Sequence, residues 1–320
     1  MSSLKSLLPP KIFEKIDRAG ISTVKQIITM APWSIRQLTN LNSEDIALLK
    51  NVAAESSSPV IVTGHRLLEM KNVLRKRVAT GCMSVDGLLL GGFQRGCLTE
   101  LYGESGSGKT QVAIQAAVTN WPSGTVYICT EDLFPVKRFN QISKNNINYH
   151  PSHDYGKSVF VEHVTESHEL LSCIRIRLPK LLESNNVSLV VIDSVAAPFR
   201  SETTNYIQRA EELREMAISL LKVAREFNLA VVCINQVTSS MEGTGDNVLP
   251  SLGLAWSNMV ATRLWLRKSR SICLNQDNYH HEDMARNMVQ VRELYVAFAP
   301  DLPNEAAEFI ITESGLKAIQ

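Results

Sequence analysis

One stretch constrains this chain more than any other: Gly103-Glu104-Ser105-Gly106-Ser107-Gly108-Lys109-Thr110. It follows an apolar run containing Leu98 and Leu101 and opens into the helix-competent residues Gln111 to Thr119. Gly103, Gly106 and Gly108 let the backbone curl so that successive N–H groups point inward, and the helix behind adds the positive end of its dipole. A strand, a glycine loop and a helix in this order make an anion cradle. Lys109 then reaches the β and γ phosphates of a nucleotide, and the Thr110 hydroxyl completes the shell of a magnesium ion. The competing reading is a flexible serine-glycine loop without a ligand.

The chain around this loop is long enough, at 320 residues, for one large or two smaller domains. Its net charge of +1 excludes a globally basic nucleic-acid binder and leaves only a local cluster for such a surface. With 44% hydrophobic residues and no low-complexity tract, a soluble globular protein is expected. No apolar run approaches a membrane span, and residues 1–10 lack the pattern of a secretory signal, so an intracellular location is expected. Cys82, Cys97, Cys129, Cys173, Cys233 and Cys273 are scattered, which fits reduced thiols better than a disulfide framework. His150, His153 and Asp154 form the only ligand-like cluster, in a polar stretch that reads as a surface loop or, less simply, a metal site.

Residues 1–54 predict a small helical domain, with helices at Pro10 to Ala19, near Thr23 to Met30, and from Ser43. Residues 55–79 read as a linker, beginning with three serines and a proline. Within it Lys71, Arg75, Lys76 and Arg77 form a solvated helix face or a phosphate-facing patch. From Thr80 onward, apolar runs alternate with helical stretches, the pattern of an α/β fold with a mostly parallel sheet wrapped by helices. Strands are expected at 125–129, 159–164, 187–192, 229–234, 259–266, 291–298 and 309–312, with 268–287 read as a polar stretch. Leu213, Met216, Ala217, Leu220, Leu221 and Ala224 mark the buried face of a helix.

Hydrolysis at a nucleotide cradle needs a carboxylate for the metal and another group to orient water. Asp193 ends the apolar run Leu189 to Ile192, which sets it at a strand's C-terminal end beside the loop, as a magnesium ligand acting through water. Glu131 follows the run Val126 to Cys129 and is the candidate for polarising the attacking water, with Asp132 a second candidate and a helix-start residue the bland reading. Gln236, after Asn235, ends another run and is placed to sense the γ phosphate. Arg200, on the segment after Asp193, is a candidate contact for single-stranded DNA or else an ion-pair residue. The loop from Thr238 to Leu249 carries no Lys or Arg and should add little to phosphate binding.

With these pieces in order the chain resembles the eukaryotic RecA-type strand-exchange recombinases over almost its whole length. The resemblance rests on Thr80-Gly81, Gly91-Gly92, Leu98-Thr99-Glu100, the phosphate loop extended by Gln111, Tyr127-Ile128-Cys129-Thr130-Glu131, Val190-Val191-Ile192-Asp193-Ser194, Asn235-Gln236-Val237, Thr262-Arg263-Leu264 and Leu302-Pro303, with Ala19-Gly20 and Leu41 in the helical domain. Within the family it is most similar to a paralogue that mediates recombination. The resemblance implies a RecA-like P-loop ATPase core at 80–320, bound ATP and Mg2+, and a DNA-dependent ATPase subunit acting in homologous recombination and double-strand break repair. It further implies a site completed between subunits, a sister paralogue and the strand-exchange recombinase as partners, single-stranded or branched DNA, and a nuclear and partly cytoplasmic location. The departures bear on assembly. Ile61-Val62-Thr63-Gly64 stands where self-assembling members carry a Phe-x-x-Ala plug, Asn258 where they carry a phosphate-sensing histidine, and Phe298 where they carry an aspartate. An adaptor that binds ATP and hydrolyses little of it is the reading from another class; a small-molecule kinase is disfavoured, because no arginine-rich lid insertion is present.

Overall fold

The computed structural model describes residues 7–58, 61–69, 76–145, 151–200, 206–239, 248–274 and 288–319. The chain divides into two compact units, residues 1–71 and 72–320.

The first unit is helical. Helix α1 (Pro10–Arg18) starts on a proline, whose missing N–H is no loss in a first turn. Helix α2 (Val24–Thr29) opens with a reciprocal capping box between Thr23 and Gln26, and α3 (Pro32–Thr39) ends on Asn40 in the left-handed conformation. Helix α4 (Ser43–Ser57) is capped by Asn42, whose side chain accepts from the Asp45 N–H at 2.7 Å. Ile16, Ile27, Ile35, Ile46 and Leu49 meet in one core. Two expectations are corrected. The segment at 32–39, where no helix is expected, forms one, because Pro32 occupies the first turn where proline is tolerated. The serines expected to begin the linker at 55 continue α4, with the Ser57 hydroxyl donating back to the Ala53 carbonyl at 2.9 Å. Short helix α5 (Gly64–Glu69) follows.

The second unit is built on a nine-stranded sheet. In chain order its strands are β3 (Leu98–Tyr102), β4 (Gly124–Cys129), β5 (Val159–His163), β6 (Val187–Asp193), β7 (Ala230–Asn235), β10 (Thr262–Leu274), β11 (Met288–Phe298), β12 (Ala306–Thr312) and β13 (Gly315–Ala318). Two small pairs, β1 (Arg77–Val78) with β2 (Phe93–Gln94) and β8 (Val237–Ser239) with β9 (Val248–Pro250), lie outside it. The spatial order is β13-β12-β11-β10-β3-β7-β6-β4-β5. Strands β10, β3, β7, β6, β4 and β5 are parallel, and β11 to β13 close that end antiparallel. Alternate residues of the central strands enter different cores. Tyr127, Val191 and Val232 pack with Val112 and Ala116 of α6 (Lys109–Thr119). Ile128, Val190 and Cys233 pack with Leu213, Met216 and Leu220 of α7 (Tyr206–Glu226). Burial on both faces explains why these strands read as unbroken apolar runs.

Strand β10 runs on through Leu274, into the stretch read as polar, because it keeps pairing with β11 past a register shift between Lys268 and Ile272, with Arg267 and Lys268 exposed between buried Leu266 and Ser269. Cys82, Cys129, Cys173 and Cys233 are buried as free thiols. No helix among the described residues is long and apolar enough to cross a membrane, and none of these residues form a metal-ligating cluster. His150 and most of the 71–77 run lie outside the described residues. Arg77 is described, and it pairs with Asp301 at 2.8 Å.

Gly92 turns the chain into β2 at φ +112°, and a Cβ there would lie 2.0 Å from the Val78 carbonyl oxygen. Gly96 has φ +76° and open space around it. Gly96→Ala should therefore cost only the left-handed penalty of about 1–2 kcal/mol. Gly92→Ala adds a backbone clash and should cost at least about 2 kcal/mol more. Chemical denaturation of the two variants measures the difference, and equal losses would contradict the packing described.

Candidate nucleotide site

The phosphate loop joins β3 to α6 at the carboxyl edge of the parallel strands. Gly106 and Gly108 have φ values of +71° and +113°, which favour glycine. At Gly103 the constraint is space, since a Cβ would sit 2.0 Å from the Leu266 carbonyl oxygen. Lys109 heads the helix and folds back across the loop, donating to the Gly103 and Glu104 carbonyls at 2.8 Å each. Burial lowers its ammonium pKa, against the opposing charges of Asp193, Glu131 and Glu104. The Ser107 hydroxyl is buried without a hydrogen-bond partner among the described residues. A loop with inward N–H groups, an unsatisfied hydroxyl and a desolvated ammonium fits a phosphate chain.

Asp193 ends β6 next to this loop. Its Oδ2 accepts from Thr110 Oγ1 at 2.8 Å and from the Tyr127 hydroxyl at 2.8 Å. Burial raises the Asp193 carboxyl pKa, while those two hydrogen bonds and Lys109 favour its charged form. Thr110 and Asp193 are thus adjacent oxygen donors in a desolvated site, a set suited to magnesium.

Glu131 stands beyond β4. Gln236 Nε2 donates to its two oxygens at 3.0 and 3.3 Å, Ser194 Oγ to one at 3.4 Å, and Arg200 Nη2 pairs with it at 2.8 Å. Gln236 follows Asn235, whose side chain donates to buried Glu100 at 2.7 Å and accepts from the Gln236 N–H and the Ser251 hydroxyl. Trp256 Nε1 at 2.9 Å and Arg263 Nε at 3.0 Å complete the surroundings of Glu100. Burial nonetheless raises the Glu100 pKa. This network ties both ends of the β8–β9 hairpin to β7. Residues 240–247 of the loop expected to approach DNA lie outside the described residues.

Lys109, Thr110, Gln111, Glu131, Asp193 and Gln236 all line one cleft of about 580 Å3, and Asp132 lies on its wall. Gln111 accepts from Arg138 at 2.6 Å. Arg200 does not line the cleft and reaches it through Glu131. Ile61, 97% exposed, and Val62, Thr63 and Gly64 lie in the other unit, where the Thr63 hydroxyl accepts from the Arg66 N–H at 3.3 Å. Sequence reasoning missed Tyr127, Ser194 and Arg292. The first was legible as the one tyrosine in buried strand β4 and the second as the neighbour of Asp193, while Arg292 carries no local signal.

A phosphate loop at the carboxyl edge of this sheet, faced by Asp193 and by Glu131 from the next strand, defines a RecA-type P-loop fold. The chain matches the Rad51 family over residues 70–319 and belongs to it. Within that family it is a recombinase paralogue similar to XRCC3: it is 30% identical to the DNA repair protein XRCC3 of Bos taurus, covering 98% of this chain and 96% of that protein. It is 31% identical to the DNA repair protein XRCC3 homolog of Arabidopsis thaliana (79% of this chain, 98% of that one) and 28% identical to the DNA repair and recombination protein RadA of Aeropyrum pernix (96% and 93%).

The raised Asp193 pKa carries a sign. A carboxyl raised in the fold contributes its stability fully below its ordinary value near pH ~4, and that contribution is lost as pH rises through the raised value. Asp193→Asn should therefore raise the melting temperature of the nucleotide-free protein at pH 7, by a margin that shrinks toward about pH 4. It should also abolish the added stabilisation by magnesium-nucleotide. Calorimetry across pH measures both, and an unchanged response to magnesium-nucleotide would remove Asp193 from the metal site.

Proposed function

We propose that the chain is an ATP-binding, DNA-dependent ATPase subunit of a recombinase-paralogue complex, acting in homologous recombination and DNA double-strand break repair. The observation that carries this reading is the 2.8 Å contact of Thr110 with Asp193, set between Lys109 and the Glu131 carboxylate. Gly103 to Thr110 hold the triphosphate through backbone N–H groups, and Lys109 leaves its two carbonyl partners for the β and γ phosphates. Magnesium at Thr110 and Asp193 supplies neutralising charge on those phosphates. Glu131 orients the water and takes its proton as the new bond to the γ phosphorus forms and the bond to the bridging oxygen breaks. Gln236, already on Glu131, reports the γ phosphate to the β8–β9 hairpin. The names of the relatives supply the setting of repair and recombination, in which nuclear action with a cytoplasmic pool is the corresponding location. An adaptor reading draws its support from the same carboxylate, which spends its oxygens on Arg200, Gln236 and Ser194.

Lys109→Ala should weaken magnesium-ATP binding at least about tenfold by removing a charge-assisted contact. Glu131→Gln should keep binding and lose turnover. Calorimetric titration and phosphate release, with and without single-stranded DNA, check both. Wild-type affinity in Lys109→Ala would overturn the site, and intact binding without turnover in the wild type would favour the adaptor.

We also propose that the 61–64 segment docks on a sister paralogue or the strand-exchange recombinase and does not drive long filaments of this chain. Ile61 offers less apolar area than a phenylalanine, a loss on the order of 1–2 kcal/mol per interface and roughly tenfold in self-association. Exposed Phe298 and Asn258 stand where other members present polar groups to a neighbour's nucleotide. Changing Ile61 and Gly64 together to glutamate should abolish co-purification of the recombinase-like partner. Undiminished co-purification, or long homofilaments of the unaltered protein with ATP and DNA, would refute this.

A further inference from the structure

Among the described residues, the Glu131 carboxylate is held by donors from the two segments that follow β6 and β7. Ser194 and Arg200 come from the first and Gln236 from the second. Arg200 is the one charged donor among them. Its guanidinium is 2.8 Å from Glu131 Oε1, and the two side chains are 46% and 37% exposed. An ion pair this accessible is weak and open to competition by another anion.

We propose that Arg200 is a latch on the water-orienting carboxylate. In the pair seen here the guanidinium holds Oε1, one of the two oxygens able to accept the water proton, and sets its positive charge against proton transfer to the carboxylate. A backbone phosphate of single-stranded DNA that takes Arg200 releases Glu131 for the water, so one side chain is exchanged between a DNA phosphate and the hydrolytic site. The inference rests on the reading of Glu131 given above. It differs from simple positioning in sign, because a positioning arginine would aid turnover in the absence of DNA and a latch opposes it. An exposed pair limits the size of the effect to a few-fold.

A binding cycle tests the exchange without relying on turnover. The full chain and its Glu131→Gln, Arg200→Gln and double variants are titrated with a fluorescent oligo(dT) across a salt series. Glu131→Gln should bind about threefold more tightly by freeing Arg200. Arg200→Gln should bind more weakly, with a salt slope smaller by about 0.7. The double variant should match Arg200→Gln. No gain in Glu131→Gln, or a gain that persists in the double variant, overturns the proposal, the latter by showing only the removal of a nearby negative charge. In phosphate release, Arg200→Gln should turn over about two- to fivefold faster than wild type without DNA, at unchanged KM for ATP, and should lose stimulation by oligo(dT). Arg200→Lys, which keeps the pair, should stay near the wild-type rate. Slower turnover in Arg200→Gln would make it a positioning residue and overturn the latch. Wild-type turnover in Glu131→Gln would instead overturn the reading of Glu131 itself.

Discussion

The site depends on a single carboxylate oxygen. Asp193 Oδ2 accepts from Thr110 of the phosphate-loop helix and from Tyr127 of β4 while its own strand, β6, lies between β7 and β4. Three elements far apart in sequence are thereby held at one point. The arrangement is costly to desolvate, since burial opposes the charged forms of both Asp193 and Lys109. Its tolerance in the nucleotide-free protein comes from partial substitutes: hydroxyl donors for the carboxylate, and the Gly103 and Glu104 carbonyls for the ammonium. A ligand that brings both charges and phosphate oxygens replaces all of these at once.

Beneath that point lies a second buried acid. Glu100 in β3 is fully buried and is surrounded by Asn235, Trp256 and Arg263. Removing any one partner from such a group leaves a buried charge uncompensated, so the cluster behaves as a unit. Asn235 also fixes the Gln236 N–H and Ser251, and Gln236 reaches Glu131. A displacement of the β8–β9 hairpin is therefore felt first at a carboxylate of the cleft. The apolar cores on either side of the sheet supply the rigidity that makes the coupling local.

The legible parts of the sequence were those governed by local rules. The glycine loop, the apolar strands ending in Asp193 and Asn235, and the stripe from Leu213 to Ala224 depend on residues near one another in the chain. The α/β class followed from their alternation. What escaped was set by tertiary context. Proline at 32 signals a break or a helix start equally well until Ile35 is seen in a core. Strand β10 reads as polar past Leu266 because one of its faces is solvated and its partner β11 lies across residues 275–287. Arg200 could be read as a DNA contact or an ion pair, and only the fold brings it to Glu131, 69 positions away by subtraction of the residue numbers. Tyr127 looked like core and is also a donor to Asp193.

Charge across the cleft explains why a metal belongs in it. Its walls carry the carboxylates of Glu131, Asp132 and Asp193 against the cations of Lys109 and Arg292. Burial lowers the pKa of both cations. A triphosphate entering without a counterion would meet the carboxylates of Asp193 and Asp132, Glu131 being paired with Arg200, in a desolvated space where Coulomb repulsion is strong. Backbone N–H groups of the loop would act on the phosphates and leave this repulsion in place, because Asp193 and Glu131 face the cleft from separate strands. A divalent cation held by Thr110 and Asp193 would turn this repulsion into attraction. On the proposed reading, magnesium dependence of nucleotide binding would follow from how β6 ends in Asp193 beside the loop, with Thr110 of the loop supplying the second oxygen donor.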